Sequence, residues 1–217
     1  MGKFSLETYR KHWPRVGGVL AMALGGAAAL AAGKTSNTRL ISMLNWGALL
    51  VHQYEEYQDP GYFPGQFNKG MLGSEDPARY PLNAHGTLCV NTVLAYPFYL
   101  APALFPKVKW LGIGPVLFGM TQVVGHGIII PRRAGDRYSP GFLASILLHL
   151  PLGIAYFRAL KQEQGGVTRS DMAKGVAYAV GFAVVGVVGP NIGFYDKNSP
   201  YAFTRHQLGH HAPPENP

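Results

Sequence analysis

An all-α integral membrane bundle of about six transmembrane helices is the fold class this 217-residue sequence predicts, on three observations. Apolar residues make up 47% of the chain and charged ones only 14%, against the roughly 25% charge usual in soluble domains. The apolar residues gather into runs that approach the ~20 residues a helix needs to cross a bilayer. The breaks between runs are rich in Pro, Gly and basic residues, as at 59–65 and 131–141, where a helix cannot easily continue. The formal net charge is +8, but these Lys and Arg flank apolar runs. Contact with anionic lipid headgroups explains them better than nucleic acid does. The single cysteine, Cys89, permits no internal disulfide, and the chain carries no CxxC zinc signature.

In order, residues 1–16 read as an amphipathic, interfacial lead with Lys3, Arg10, Lys11 and Arg15 among Phe4, Leu6, Tyr9 and Trp13. The Ala- and Gly-rich run at 17–33 is short and has signal-peptide features. The long lead and the Trp13-Pro14 anchor favour a retained first span. A second span is expected at 40–57, and an aromatic connection up to Leu82 reads as a lid or headgroup-level loop. Third, fourth and fifth spans are expected at 83–105, 110–130 and 142–160, with kinks at Pro97 and Pro151. The sixth, at 173–188, presents Gly175, Ala179 and Ala183 every fourth residue, a face suited to close helix packing. The bundle thus covers 17–192, and the polar segment 193–217 reads as a flexible tail.

The second span ends in His52-Gln53-Tyr54-Glu55-Glu56. Residues three and four apart share a helix face, so His52 lies under both carboxylates. Ionisable groups at membrane depth are costly and mark functional sites by default. Alternating spans place the ends of spans two and four and the starts of three and five on one side of the membrane. The conspicuous polar residues fall there: His52, Glu55 and Glu56; Asn83, His85 and Asn91; Gln122 and His126; and His149. Structural polar residues have no reason to choose one leaflet, so the convergence predicts a shared site. With cytoplasmic termini, eleven Lys and Arg lie on the site's side and eight on the other. That bias points to a multi-pass protein of a bacterial inner membrane with cytoplasmic termini.

The His52 to Glu56 block, the Gln122 and His126 pair and Tyr138-Ser139-Pro140-Gly141 together resemble the HXXEE-domain family of bacterial and archaeal multi-pass proteins, over roughly 40–160. The resemblance implies a membrane protein with a His/Glu site at His52, Glu55 and Glu56, His126 being the second histidine. It implies no particular activity.

The donor types supply the chemistry. Imidazole with carboxylate suits a divalent zinc, iron or manganese ion, and the lack of thiolates disfavours copper(I) or an iron–sulfur cluster. Neither the HExxH spacing nor the Glu-x-x-His of ferritin-like helices is present. The leading expectation is a metal-dependent membrane enzyme that hydrolyses or oxidises a lipid-like or small apolar substrate entering from the bilayer. His52, Glu55, Glu56 and His126 are its candidate ligands, His149 and His85 further ones, and Glu55 or Glu56 a candidate general base. A transporter or ion-coupled carrier with the same groups as a proton relay, and a structural or assembly subunit held by interhelical polar contacts, are the alternatives.

Overall fold

The computed structural model describes residues 5–214, and these contain helices and connections but no strand. We label α1 (Leu6–Ala31), α2 (Asn37–Tyr57), α3 (63–71), α4 (Ala84–Leu104), α5 (Lys109–Ala134), α6 (Phe142–Gln164), α7 (Arg169–Gly193) and α8 (205–211). The lead and the first apolar run form one helix rather than two elements. Ser5 starts it by accepting the Thr8 N–H, so the basic segment is already helical before the run begins. The expectation for residues 1–4 lies outside the described residues. Side-chain caps also open α2 at Ser36, α4 at Asn83 and α7 at Thr168.

Five helices, α1, α4, α5, α6 and α7, are long and apolar enough to cross a membrane. The sixth long helix, α2, falls outside that set because its inward face is polar. Thr38, Ser42, Asn45, Leu49, His52 and Glu56 follow at alternating spacings of four and three, and all six are buried. That is the periodicity of one helix face. Here it points inward, against α4, α5 and α6, while α1 packs alongside.

Antiparallel packing of α2 and α6 lets each helix cap the other. The Leu143 and Ala144 N–H groups, in the first turn of α6, donate to Glu55 near the end of α2 at 3.1 and 2.8 Å. At the opposite end, the Asn37 and Thr38 N–H groups donate to Glu163 of α6 at 2.6 and 3.1 Å. Each carboxylate satisfies orphan donors and meets the positive end of a helix dipole.

Three π turns precede prolines at the same offset. Gly125–Ile129 ends two residues before Pro131, Ser145–His149 two before Pro151, and Phe182–Val188 two before Pro190. Proline lacks the N–H its helix needs and crowds the carbonyl four residues back. Widening the preceding turn absorbs both defects, and such turns recur at functional sites. On α7 the small-residue face packs as the spacing predicts: Gly175 lies so close to Ile113 of α5 that a side chain there would displace it.

The segment after residue 193, which composition alone predicts to be a flexible tail, folds back onto the bundle. Phe203 and Leu208 are buried in one core with Trp13, Tyr57, Phe63, Leu82, Leu88 and Ile130. Two apolar anchors in a polar stretch suffice, because α3 and the ends of α2, α4 and α5 leave an apolar floor for them. Two further clusters, around Phe98 and Tyr99 and around Ile113 and Tyr156, fill the rest of the bundle.

Candidate metal centre

The inward stripe of α2 brings His52 and Glu56 against the π turn of α5 that carries His126. Nε2 of His52 and Nε2 of His126 lie 3.5 and 3.4 Å from the same oxygen, Oε1 of Glu56. All three side chains are buried. The imidazoles meet edge to face with centroids 4.8 Å apart. His149, at the end of the α6 π turn, stands beside them with its centroid 5.5 Å from that of His52. The compact set of mutually close ligand atoms comprises His52, Glu56 and His126.

The outer nitrogens are held by hydroxyls and an amide. Ser145 donates its hydroxyl to Gly141 O at 2.6 Å, so at 3.3 Å from His52 Nδ1 its oxygen acts as acceptor. The proton of His52 therefore sits on Nδ1, and a lone pair on Nε2 faces Glu56. His126 Nδ1 lies 3.0 Å from Ser139 Oγ, and His149 Nδ1 lies 3.2 Å from Asn45 Oδ1. An amide oxygen only accepts, so His149 carries its proton on Nδ1 as well. Gly141 has φ +103°, and a Cβ there would stand 2.9 Å from ring atoms of both His52 and His126. Only glycine satisfies that backbone and that approach together.

These residues fit a divalent transition metal. Separations of 3.4 to 3.5 Å are too long for hydrogen bonds. They match the roughly 3.3 Å expected between two tetrahedral ligands with bonds of about 2.0–2.1 Å. Two imidazole nitrogens converging on one carboxylate oxygen could share a cation, and imidazole with carboxylate suits zinc, iron or manganese better than softer ions. Metal-binding histidines usually donate the outer N–H to a fixed acceptor, the role that the Ser145 hydroxyl oxygen fills for His52.

The other residues singled out by sequence are placed as follows. Glu55 does not join the three; both its oxygens cap α6, and the Tyr138 hydroxyl also donates to it. Burial, and then that bond to a carboxylate, push the Tyr138 hydroxyl above its usual range, so it stays a donor. His85 packs elsewhere, between Phe194 and Tyr201, each with centroids 4.9 Å away. Asn83 caps α4. Asn91 accepts from Gln53 and ties α2 to α4. Gln122 and Asn91 line a cavity of about 250 Å³ together with His52, Glu56, His126 and His149. Most of its remaining wall is apolar, with Phe63 and Phe67 of α3, Phe118 and Phe182 among the lining side chains. The aromatic connection after α2 thus covers the chamber.

Sequence reasoning did not assign roles to Ser139, Gly141, Ser145 and Asn45. The inward stripe through Thr38, Ser42 and Asn45 was the signal for Asn45. Tyr138-Ser139-Pro140-Gly141 was visible as a block but gave no contacts.

Fold and site together define an all-helical, multi-pass membrane protein whose one polar helix presents a buried histidine–glutamate group to an apolar chamber. The chain belongs to the HXXEE family, described as "protein of unknown function with HXXEE motif", with residues 43–156 matched. The motif's histidine and two glutamates are His52, Glu55 and Glu56. No curated protein and no solved structure matches the chain.

Proposed function

We propose that this protein is a metal-dependent membrane enzyme whose substrate is lipid-like or a small apolar molecule. The observation that carries this reading is the convergence of His52 Nε2 and His126 Nε2 on Glu56 Oε1, in the wall of a largely apolar cavity. His52, His126 and Glu56 hold the ion. A metal bound by three protein ligands would supply Lewis-acid polarisation and activated water, which suits hydrolysis; oxidation would require a redox-active ion such as iron and an external oxidant such as dioxygen. His149 lines the same cavity with its Nε2 lone pair available, and Asn45 fixes its ring. It is placed to accept a proton from a reacting group or return one. Asn91 and Gln122 offer hydrogen bonds to the polar end of a substrate whose apolar body lies among the phenylalanines. Glu55 acts as a positioning residue, anchoring the start of α6 and with it Ser145.

Elemental analysis of protein purified without an affinity histidine tag tests the reading. We expect transition metal that survives dialysis, with one equivalent of it lost in His52→Ala, His126→Ala and Glu56→Gln. Wild-type protein without one would overturn it. The file of polar groups from Asn45 through His149, His52, Glu56 and His126 to Ser139 also suits a proton path, the carrier reading. Substrate flux in liposomes by metal-free protein would favour that alternative.

A further inference from the structure

A second histidine–carboxylate group lies outside the site just described, where α8 meets the α5–α6 loop. Asp136, in that loop, accepts from Nε2 of His210 at 2.8 Å on one oxygen and from Nε2 of His211 at 2.9 Å on the other. The two imidazoles lie against each other with centroids 4.1 Å apart. Gln66 of α3, fully buried, donates from Nε2 to Asp136 at 2.6 Å and to Tyr138 O at 2.8 Å, which fixes the carboxylate. The remaining oxygen of that amide, Oε1, is buried without a hydrogen-bond partner. Burial alone would raise the Asp136 carboxyl, yet the bonds from His211, Gln66 and His210 hold it below the usual range, so it is an anion.

We propose that Asp136, His210 and His211 form a second site for a divalent transition metal, which clasps the C-terminal segment over the loop serving the buried centre. Two imidazoles, once an ion displaces the protons shared with Asp136, and one carboxylate make a borderline-hard donor set suited to zinc or a neighbouring first-row ion. His210 is more than half exposed, so the ion enters from the aqueous boundary rather than through the cavity. The loop that begins at Asp136 continues through Tyr138, which donates to Glu55, and Ser139, which holds His126, to Gly141, which packs on both ring histidines. A clasp at Asp136 therefore fixes one end of the segment that shapes the buried centre.

The proposal stands apart from the enzymatic reading, and one experiment separates them. Full-length protein is stripped with chelator and titrated with zinc by equilibrium dialysis, as wild type, His210→Ala/His211→Ala and His52→Ala/His126→Ala. We expect two ions per chain in wild type and one in each double variant. Asp136→Asn, which keeps the shape of the side chain, should also bind one. Undiminished binding in His210→Ala/His211→Ala, or none in His52→Ala/His126→Ala, overturns the second site. If the His52→Ala/His126→Ala protein binds as many ions as wild type, the buried centre fails while the clasp stands.

Discussion

The chain holds two groups with the same donors, two imidazoles and one carboxylate, in opposite settings. In the buried group, Nε2 of His52 and of His126 share one oxygen of Glu56 at 3.4 to 3.5 Å. At the edge, His210 and His211 each take a separate oxygen of Asp136 at 2.8 and 2.9 Å. The edge group is at hydrogen-bond length, each imidazole paired with its own carboxylate oxygen. The buried group has two nitrogens spaced as ligands of one ion could be, with its outer nitrogens engaged by Ser145 and Ser139, and its side chains are buried in the wall of the cavity. If both groups hold an ion as proposed, burial and spacing should make the inner group the tighter and slower-exchanging site.

Removing a ligand from the inner group gives the largest effect. In a His210→Ala/His211→Ala background, His126→Ala or Glu56→Gln should abolish the remaining stoichiometric metal, measured by elemental analysis after dialysis. Metal retained in both would break the contrast between the two groups. Gly141→Ala comes next. Its positive φ and its approach to His52 and His126 predict a loss of about 2–3 kcal/mol, read as a lower unfolding temperature in detergent. Unfolding at the wild-type temperature would show that the rings yield. Ser145→Ala should leave the fold in place and weaken metal binding roughly 10–100-fold, measured by competition with a chelating dye; unchanged affinity would remove Ser145 from the centre. Glu55→Gln should keep its metal and lose about 1–2 kcal/mol with the cap on α6, so the adjacent glutamates separate by which property each one moves. The smallest effect is expected at the edge, where His210→Ala in metal-free protein should change stability by less than ~1 kcal/mol.

The division between Glu55 and Glu56 shows where sequence reading stops. Both lie within one turn of His52, yet successive residues are about 100° apart around a helix, so the two carboxylates leave on different sides. Which side meets α5 and which meets the start of α6 depends on how α2 sits among its neighbours. Likewise, His85 falls in the expected leaflet, but it turns toward Phe194 and Tyr201, residues more than a hundred positions away. Polar composition hid the docking of the C-terminal segment, because Phe203 and Leu208 have a floor only once α3 is in place.

The sequence by itself determined the apolar helices, the polar residues of α2, and the expectation that His52, His85, His126 and His149 lie toward one end of the bundle. Hydropathy and period alone dictate these, since apolar runs must be buried or lie in lipid and successive spans must alternate in direction. Tertiary structure decided the division of labour: Glu56 with the histidines, Glu55 at the start of α6, Ser145 and Ser139 behind the rings, and Asp136 under His210 and His211. Apart from Glu56 with His52, four positions away on the same helix, those pairings join residues 13 to 93 positions apart. They follow from helix rotation, from π turns placed ahead of prolines and from the one backbone conformation of Gly141, none of which a linear pattern encodes.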